Sequence, residues 1–253
     1  MTSSSERFSE RVADYIKHRP GYPAEVLALL TRECGLGPAT TVADIGSGTG
    51  IFTKLLLQSG AQVFAVEPNT HMRAAAEAAL AAQAQFVSLA GEAGATTLPT
   101  ASIDLITAAQ AFHWFDRQRA REEFLRILKP GGYIALIWNE REVDTTPFLQ
   151  GYEQLLKDYA PENDLVDHRN VTPADIAAFF YPHQVKAAAY PYQQRFDYAG
   201  LKGRLLSSSY APPASHPNHE PMLRQLRTLF DRFQDSGQVV WHYQTRVFYG
   251  RID

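Results

Sequence analysis

The feature that most constrains the fold is a glycine-rich turn between a strand pattern and a helix pattern. The segment Val42-Ala-Asp-Ile-Gly-Ser-Gly-Thr-Gly50 ends a buried strand predicted over residues 40–45 and opens a helix predicted over residues 51–58. Glycine lets the backbone turn tightly and approach a ligand closely. Because open α/β sheets bind ligands beyond the carboxyl ends of their strands, this turn predicts a ligand site at that edge.

Strand and helix patterns alternate through the first half of the chain and change character after Asn139. Asn69 can cap an Ala-rich helix that runs to about Ala82. Further helices are predicted over residues 117–128 and 221–235, and residues 141–182 are predicted to be helices and loops. The other predicted strands are residues 62–66, 86–89, 102–108, 133–138, 186–192 and 239–249. Continuously apolar strands need cover on both faces, so we predict an α/β fold: a doubly wound, mostly parallel seven-stranded sheet with helices on both faces.

Composition excludes several classes of protein. The chain has 253 residues, a formal net charge of −3 and a single cysteine, Cys34, so we expect neither a polyanion binder nor a disulfide framework. It contains no run of about 20 apolar residues and no apparent secretory signal, which favours a soluble cytoplasmic protein without membrane or nucleic-acid partners. The eight histidines form no zinc motif, and His216-Pro-Asn-His219 is expected to be a surface loop, so no metal site is predicted.

A carboxylate after the second strand narrows the ligand class. Glu67 stands 21 residues after Gly46, where it can accept hydrogen bonds from both hydroxyls of a ribose. A dinucleotide site requires the spacing G-x-G-x-x-G/A, whereas Gly46, Gly48 and Gly50 alternate and Ile51 follows. The spacing therefore departs from the dinucleotide pattern by one residue, and no P-loop lysine follows.

The glycine turn is one of six motifs along residues 40–140. The motifs are Asp44-Ile-Gly-Ser-Gly-Thr-Gly50, Glu67-Pro-Asn69 with Met72, Gly91-Glu-Ala93, Ser102-Ile-Asp-Leu105, Ala111-Phe-His-Trp-Phe-Asp116 and Leu128-Lys-Pro-Gly-Gly132. In this order and spacing they resemble the class I S-adenosylmethionine-dependent methyltransferase family. Tyr15-x3-Arg19-Pro-Gly-Tyr-Pro23, Ser207-Ser-Ser-Tyr210 and the last strand also resemble its small-molecule, trans-aconitate-methyltransferase-like subgroup. The resemblance implies S-adenosyl-L-methionine as the cofactor.

The resemblance also implies which residues surround the methionine part of that cofactor. These are Tyr15, Arg19, Asp44, Gly46, Ser47, Gly48, Gln110 and Ala111. Asp44 would orient the ammonium group directly or through water, and Arg19 would lie near the carboxylate on an N-terminal lid helix. Two alternatives stay open, since Asp44 could instead hold the loop and Arg19 could be a solvated charge at a helix end.

A second group of residues would surround the adenosine. These are Glu67, Pro68, Met72, Glu92 and Ala93. Glu67 would accept from the ribose hydroxyls, and Pro68 and Met72 would flank the adenine. Glu92 would face the adenine amino group, although the family commonly has aspartate there. Met72 could equally be a core residue.

The residues after the fourth strand are the candidate substrate site. By the resemblance, the methyl acceptor would contact Phe112, His113, Trp114, Trp138 and Tyr210. His113 is the candidate catalytic residue, because a histidine titrates near neutral pH. It could act as a general base toward a hydroxyl or donate a hydrogen bond to a substrate carboxylate. Alternatively, it could pack there and hold a backbone carbonyl.

The same segment distinguishes several methyltransferase chemistries. Gln110-Ala-Phe-His113 does not match the Asn/Asp-Pro-Pro-Tyr/Phe motif of enzymes that methylate amino groups of bases. No carboxylate follows the fourth strand until Asp116, which argues against a metal-dependent catechol-type enzyme. Cys34 precedes the first strand, so it lies near the wrong edge for a cytosine-carbon methylase. Metal-free, in-line transfer to a small carboxylate, hydroxyl or amine remains.

Two other functions stay open at this stage, namely a non-catalytic S-adenosylmethionine-binding protein and a nicotinamide-dependent reductase. We predict a single methyltransferase domain over residues 1–253, of unknown oligomeric state. Its predicted parts are N-terminal lid helices (1–35), a cofactor-binding core (36–140), a cap and substrate region with one sheet strand (141–236) and a closing strand (237–253).

Overall fold

The computed structural model describes residues 19–160, 171–208 and 210–253, which form one seven-stranded sheet and eight α-helices. The strands are β1 (Thr41–Ile45), β2 (Gln62–Val66), β3 (Phe86–Leu89), β4 (Ile103–Ala109), β5 (Leu128–Arg141), β6 (Lys186–Phe196) and β7 (Val239–Gly250). Their order is β3-β2-β1-β4-β5-β7-β6, and the pairings among β1 to β5 are parallel. The predicted fold class is confirmed.

The helices follow the predicted alternation in the first half of the chain. They are α1 (Ala24–Cys34), α2 (Ile51–Leu57), α3 (Thr70–Leu80), α4 (Arg117–Ile127), α5 (Pro147–Tyr159), α6 (Pro173–Phe180), α7 (Tyr198–Leu206) and α8 (His219–Phe233). Asn69 caps α3 as predicted, because its Oδ1 accepts hydrogen bonds from the amides of His71 and Met72. None of the described helices is long and apolar enough to cross a membrane.

Two strands are longer than their sequence patterns predicted. β5 begins at Leu128, whereas the prediction began at Tyr133, because the Lys-Pro-Gly-Gly segment was taken as a helix stop alone. β6 continues past Tyr192 through two glutamines and an arginine to Phe196. Up to its buried last residue, β6 alternates mainly between exposed and half-buried side chains. The run of apolar residues in the sequence therefore ends before the strand does.

The chain divides into two compact units, and β5, β6 and β7 each have residues in both. The described part of the core unit comprises residues 21–139, 171–190 and 245–253. The described part of the second unit comprises residues 19–20, 140–160, 191–208 and 210–244.

The core unit buries both faces of its sheet. Val42 belongs to a cluster with Leu30 of α1 and Leu56 of α2, whereas the next residue, Ala43, belongs to a cluster with Phe124 of α4. Since adjacent residues of a strand point to opposite faces, the helices cover both sides. This arrangement fixes the carboxyl ends of β1, β2 and β4, where the predicted site residues stand.

The second unit has its own hydrophobic core. Trp241 and Tyr243 of β7 pack with residues of α5, α7 and α8, among them Tyr152 and Leu226. The Tyr152 and Trp241 rings lie 4.5 Å apart in an edge-to-face arrangement that is favourable for aromatic pairs. Predicted cap residues 141–236 supply most of this unit, but residues 171–190 belong to the core unit.

Candidate functional site

The glycine turn between β1 and α2 is anchored to the end of β2. The amides of Gly46 and Ser47 donate to the carbonyl oxygen of Val66 at 2.9 and 3.2 Å. Gly46, Gly48 and Gly50 all have positive φ angles, +68°, +57° and +80°, which a residue with a side chain adopts only at a cost. The turn is therefore a defined loop that requires glycine at all three positions.

The three glycines serve different purposes. A Cβ atom at Gly46 would lie 2.6 Å from the Cβ of Ala111, and one at Gly50 would lie 2.9 Å from a side-chain carbon of α3. A Cβ at Gly48 would meet only the sulfur of Met72, at 3.9 Å. Gly46 and Gly50 are thus required by packing, whereas the middle of the turn has space in front of it.

Glu67 connects the end of β2 to the glycine turn. Its Oε2 accepts a hydrogen bond from the Gly48 amide at 2.9 Å, and its Oε1 accepts one from the Asn69 amide at 2.8 Å. Burial raises the pKa of Glu67, and these two backbone hydrogen bonds partly oppose that shift. Each carboxylate oxygen can accept a second hydrogen bond, so Glu67 can hold the turn and still bind two hydroxyls.

Asp44, the second carboxylate of the site, lies beneath the turn and is 1% exposed. Its two oxygens accept hydrogen bonds from the hydroxyls of Thr53, at 2.6 Å, and Thr107, at 2.8 Å. Burial raises the pKa of Asp44 to about 6, the two threonine hydroxyls oppose the shift, and the charge of Glu67 adds to it. Thr53 and Thr107 are partners that the sequence did not suggest.

The two carboxylates leave the glycine turn with buried negative charge. In the described part of the chain, neither Asp44 nor Glu67 forms a salt bridge. The charge of Arg73 lowers the pKa of Glu67, but the Arg73 guanidinium donates to backbone carbonyls and pairs with Glu77. Buried charge without a counter-ion favours a ligand that brings positive charge. S-adenosylmethionine carries a sulfonium and an ammonium group, so its charge is complementary to these two carboxylates. The negatively charged pyrophosphate of a dinucleotide would be repelled by them.

The other residues predicted to surround the adenosine differ in their exposure and in the hydrogen bonds they already form. Met72 and Ala93 are buried, and Pro68 is exposed. Glu92 is exposed, and its Oε1 accepts from Nη2 of Arg119 at 3.3 Å. Glu92 would therefore have to exchange or share this partner to bind an adenine amino group.

The end of β4 is held by a strained residue and by a buried asparagine. Gln110 has a φ of +56°, and its Nε2 donates to the carbonyl of Asn139 at 3.0 Å. The Asn139 side chain donates to the carbonyl of Gly21 at 2.8 Å and accepts from the Thr245 hydroxyl at 2.6 Å. Strain of this kind concentrates at functional sites. No local pattern in the sequence indicated this role of Asn139.

The segment after β4 forms a short 3₁₀ turn, Phe112–Trp114, whose three residues have different surroundings. Phe112 is fully buried in the core, whereas Trp114 is 42% exposed and its ring lies 4.9 Å from that of His113. The indole nitrogen of the buried Trp138 donates to Nδ1 of His113 at 3.5 Å. Because an indole nitrogen can only donate, His113 accepts at Nδ1 and carries its proton on Nε2 when neutral.

Three predicted site residues lie outside the core unit or outside the described residues. Arg19 belongs to the second unit, where its Nη2 donates to the carbonyl of Ser207 at 3.2 Å. Tyr210 is half-buried and packs against the hydrophobic core of the same unit. Tyr15 lies outside the described residues.

Cys34 is buried in the core unit, and burial raises the pKa of its thiol to about 12. A thiol in that state is a poor nucleophile. Within the residues that the structure describes, no group of three or more His, Cys, Asp or Glu side chains is arranged to hold a metal ion.

Comparison with known proteins agrees with this geometry. A family described as a methyltransferase domain matches residues 43–136. An uncharacterized methyltransferase-like protein of Schizosaccharomyces pombe is 28% identical over 95% of this chain and 93% of its own length. An uncharacterized methyltransferase of Mycobacterium tuberculosis is 39% identical, but the match covers 53% of each chain.

Solved structures show the same fold. A protein described as a candidate type II methyltransferase from Anaeromyxobacter dehalogenans superposes with a TM-score of 0.67 at 23% identity, covering 92% of this chain and 98% of its own. A candidate methyltransferase from an antibiotic biosynthesis pathway of Anabaena variabilis gives a TM-score of 0.64 at 20% identity, with the same coverage. At these identities the likeness concerns the fold.

Proposed function

We propose that this chain is a class I S-adenosylmethionine-dependent methyltransferase and that it methylates a small-molecule acceptor by in-line displacement, without a metal. The acceptor atom would belong to a carboxylate, hydroxyl or amine. The single observation that carries the proposal is the pair of buried carboxylates, Asp44 and Glu67, on either side of the glycine turn.

The cofactor would be held by charge and by hydrogen bonds from the core unit. When bound, S-adenosylmethionine supplies an electrophilic methyl group on a positively charged sulfur. Glu67 would bind the ribose hydroxyls with the acceptor sites left beside its Gly48 and Asn69 hydrogen bonds. Asp44, whose oxygens are held by Thr53 and Thr107, would act on the ammonium group through its charge or through water.

His113 would orient the acceptor rather than remove its proton. With Nδ1 accepting from Trp138, neutral His113 presents an N–H at Nε2, which can donate to an acceptor oxygen. Trp138 would then be a positioning residue, since it is buried and acts through His113. Trp114, which is exposed next to His113, is the better candidate for direct substrate contact than the buried Phe112.

The surroundings of Asp116 support the metal-free chemistry. It is the first carboxylate after β4, and its Oδ1 accepts from the amides of Gln118 and Arg119 at the start of α4. It therefore serves as a helix cap. A carboxylate used in this way is a poor candidate for a metal ligand.

Transfer of a labelled methyl group tests this proposal. The protein is incubated with methyl-labelled S-adenosylmethionine and a panel of small carboxylic acids, phenols and amines, with and without EDTA. We expect label transfer to at least one class of acceptor and the same rate in EDTA. Binding of the cofactor without transfer to any acceptor would favour the non-catalytic alternative, and a rate that EDTA abolishes would contradict the metal-free mechanism.

Variants of His113 test its proposed role. Once an acceptor is identified, we expect His113→Ala to lower kcat/KM by about 10- to 100-fold, because the hydrogen bond from the imidazole N–H to the acceptor is lost. The affinity for S-adenosylmethionine should be retained. His113→Gln supplies an amide N–H and should recover part of the loss. A general base would instead show no recovery with glutamine and an acid limb in the wild-type pH profile that disappears in the variant.

A further inference from the structure

The second unit buries polar groups that the methyl-transfer chemistry above does not use. Arg204 of α7 is 7% exposed, and Arg141 at the end of β5 is 12% exposed at its side chain. The guanidinium carbons of Arg204 and Arg141 lie 5.4 and 5.7 Å from the centre of the Trp241 ring. One buried and one mostly buried guanidinium group therefore lie against one indole.

Their charges are only partly compensated. Arg141 forms a salt bridge with Glu153, but among the residues that the structure describes no carboxylate pairs with Arg204, which donates from Nη1 to the Ser208 hydroxyl at 3.1 Å. Arginine does not deprotonate in proteins, so its positive charge remains even when buried. Contact with an aromatic face offsets part of the cost of burial but supplies no hydrogen-bond acceptor.

Several donors in the same place have no acceptor. Within the described residues, these buried atoms form no hydrogen bond: Nη1 of Arg141, Nε of Arg204, the hydroxyl of Tyr152 and Nε1 of Trp241. Buried polar groups in native proteins are nearly always satisfied, so one such atom needs an explanation and four around a single ring need a common one. All four atoms can donate, and two belong to cations.

The Tyr152 hydroxyl is surrounded by the two arginines and by further tyrosines of the second unit. The hydroxyl interacts electrostatically with Arg141, Arg204, Tyr210 and Tyr243, and burial raises its pKa, so it stays a neutral donor. The hydroxyl of Tyr243 donates to Gln194 at 3.0 Å. Tyr210, which the sequence predicted to contact substrate, thus belongs to this same cluster.

We propose that Arg141, Tyr152, Arg204 and Trp241, all of the second unit, form a binding site for a small carboxylate. Arginine presents paired N–H groups that match the two oxygens of a carboxylate. A carboxylate would pair with Arg204 and give acceptors to the remaining donors.

Calorimetric titration of the full chain with succinate and with its neutral analogue succinamide tests the site. We expect succinate to bind at least ten times more tightly than succinamide. We expect Arg204→Gln to weaken succinate binding by about 10- to 150-fold, the loss of one charged hydrogen-bonding group. Arg227→Gln is the matched control, because Arg227 of α8 is exposed and pairs with Asp231, and it should bind succinate as the wild type does.

A second variant keeps the test decisive if Arg204→Gln folds poorly. Tyr152→Phe removes only a hydroxyl that has no hydrogen-bond partner in the described chain, so the ligand-free melting temperature should be unchanged or higher, while succinate binding weakens several-fold. Tyr198→Phe removes a hydroxyl that donates to the carbonyl of Leu223, and it should leave succinate binding unchanged.

Further titrations separate this proposal from its alternatives. Equal affinity for succinate and succinamide, or unchanged succinate affinity in both Arg204→Gln and Tyr152→Phe, would overturn the site. Tighter binding of inorganic phosphate than of succinate would overturn the assignment to a carboxylate. Intact S-adenosylmethionine binding in all variants shows that the core unit is folded, and an unchanged near-ultraviolet circular dichroism spectrum, to which the buried Trp241 contributes, shows the same for the second unit. Loss of succinate binding with both readouts intact concerns only this site.

Discussion

The two units of this protein bury charges of opposite sign, and within the described residues neither set of charges is fully paired. In the core unit, Asp44 and Glu67 are buried beside the glycine turn and form no salt bridge in the described part of the chain. In the second unit, Arg204 is buried against Trp241 without a carboxylate within the described residues. Both arrangements cost folding free energy, and a ligand of the complementary charge offsets that cost in each case. The difference predicts a cationic cofactor for one unit and an anionic ligand for the other.

The largest effect on stability is expected at Gly46, which the fold needs for two reasons. Gly46→Ala should lower the free energy of unfolding by about 2–5 kcal/mol, because the added Cβ meets Ala111 and a non-glycine residue takes a positive φ. Gly48→Ala should cost only about 1–2 kcal/mol, since it has the φ penalty without the clash. Chemical denaturation measures both. Equal losses would contradict the distinction between the packing glycine and the glycine with space in front of it.

Asp44→Asn should stabilise the ligand-free protein while impairing its function. Since the pKa of Asp44 rises from 3.8 to about 6 on folding, the native state takes up a proton, and stability falls as the pH increases through that window. Above pH 7 the full penalty of about 3 kcal/mol applies, and the variant should escape it. Denaturation at pH 5 and pH 8 measures the effect, which should be about half as large at pH 5 as at pH 8. The prediction would be contradicted if Asp44→Asn lowered the free energy of unfolding, relative to the wild type, more at pH 8 than at pH 5.

The same group predicts how cofactor binding depends on pH. A cationic ligand favours ionised Asp44, so S-adenosylmethionine affinity should increase up to tenfold per pH unit as the pH rises toward 6 and then level off. The Asp44→Asn variant should bind more weakly and lose this dependence below pH 7. A wild-type affinity that is flat between pH 5 and 7 would argue against charge as the basis of recognition.

Glu67→Ala tests the hydrogen bonds assigned to the ribose. We expect S-adenosylmethionine to bind about 10- to 150-fold more weakly, because one charged acceptor is lost. Glu122→Gln is a suitable control, since Glu122 is exposed on α4 and accepts a hydrogen bond from Gln118 of the same helix. Calorimetry with both variants makes the comparison, and unchanged affinity in Glu67→Ala would refute the ribose assignment.

The smallest effect is expected for Arg204→Met in the second unit. Replacing a buried, uncompensated charge by an apolar side chain of similar length is often neutral or stabilising, so the ligand-free stability should change by less than about 1 kcal/mol or rise. Carboxylate binding should nevertheless be lost. A large destabilisation would mean that Arg204 supports the fold rather than a ligand. The parallel between the two units, each with buried charge kept for a ligand, would then be wrong.

The two units also differ in how far the sequence could predict them. The core unit was predictable because its site is built from contiguous motifs at strand ends: Gly46, Gly48 and Glu67 lie at fixed spacings that the backbone imposes. Asp44 was identified as a site residue, but its partners Thr53 and Thr107 come from a helix and another strand, and nothing local marks them.

The charged site of the second unit could not be predicted in the same way. Arg141, Tyr152, Arg204 and Trp241 come from four elements and share no spacing, so only the folded chain brings them around one ring. Trp241 belonged to a predicted strand, but burial of a polar group without a hydrogen-bond partner is a property of the folded chain. The role of Asn139, which binds segments far apart in sequence, was missed for the same reason.

The central claim is that buried negative charge at the glycine turn selects a cationic nucleoside cofactor. Titration of the wild-type protein with S-adenosylmethionine and with NADH, each followed by thermal unfolding, tests it most directly. At about 100 times its dissociation constant, S-adenosylmethionine should stabilise the protein by roughly 2.7 kcal/mol, and NADH should have no effect. Stabilisation by NADH, with none from S-adenosylmethionine, would contradict the claim.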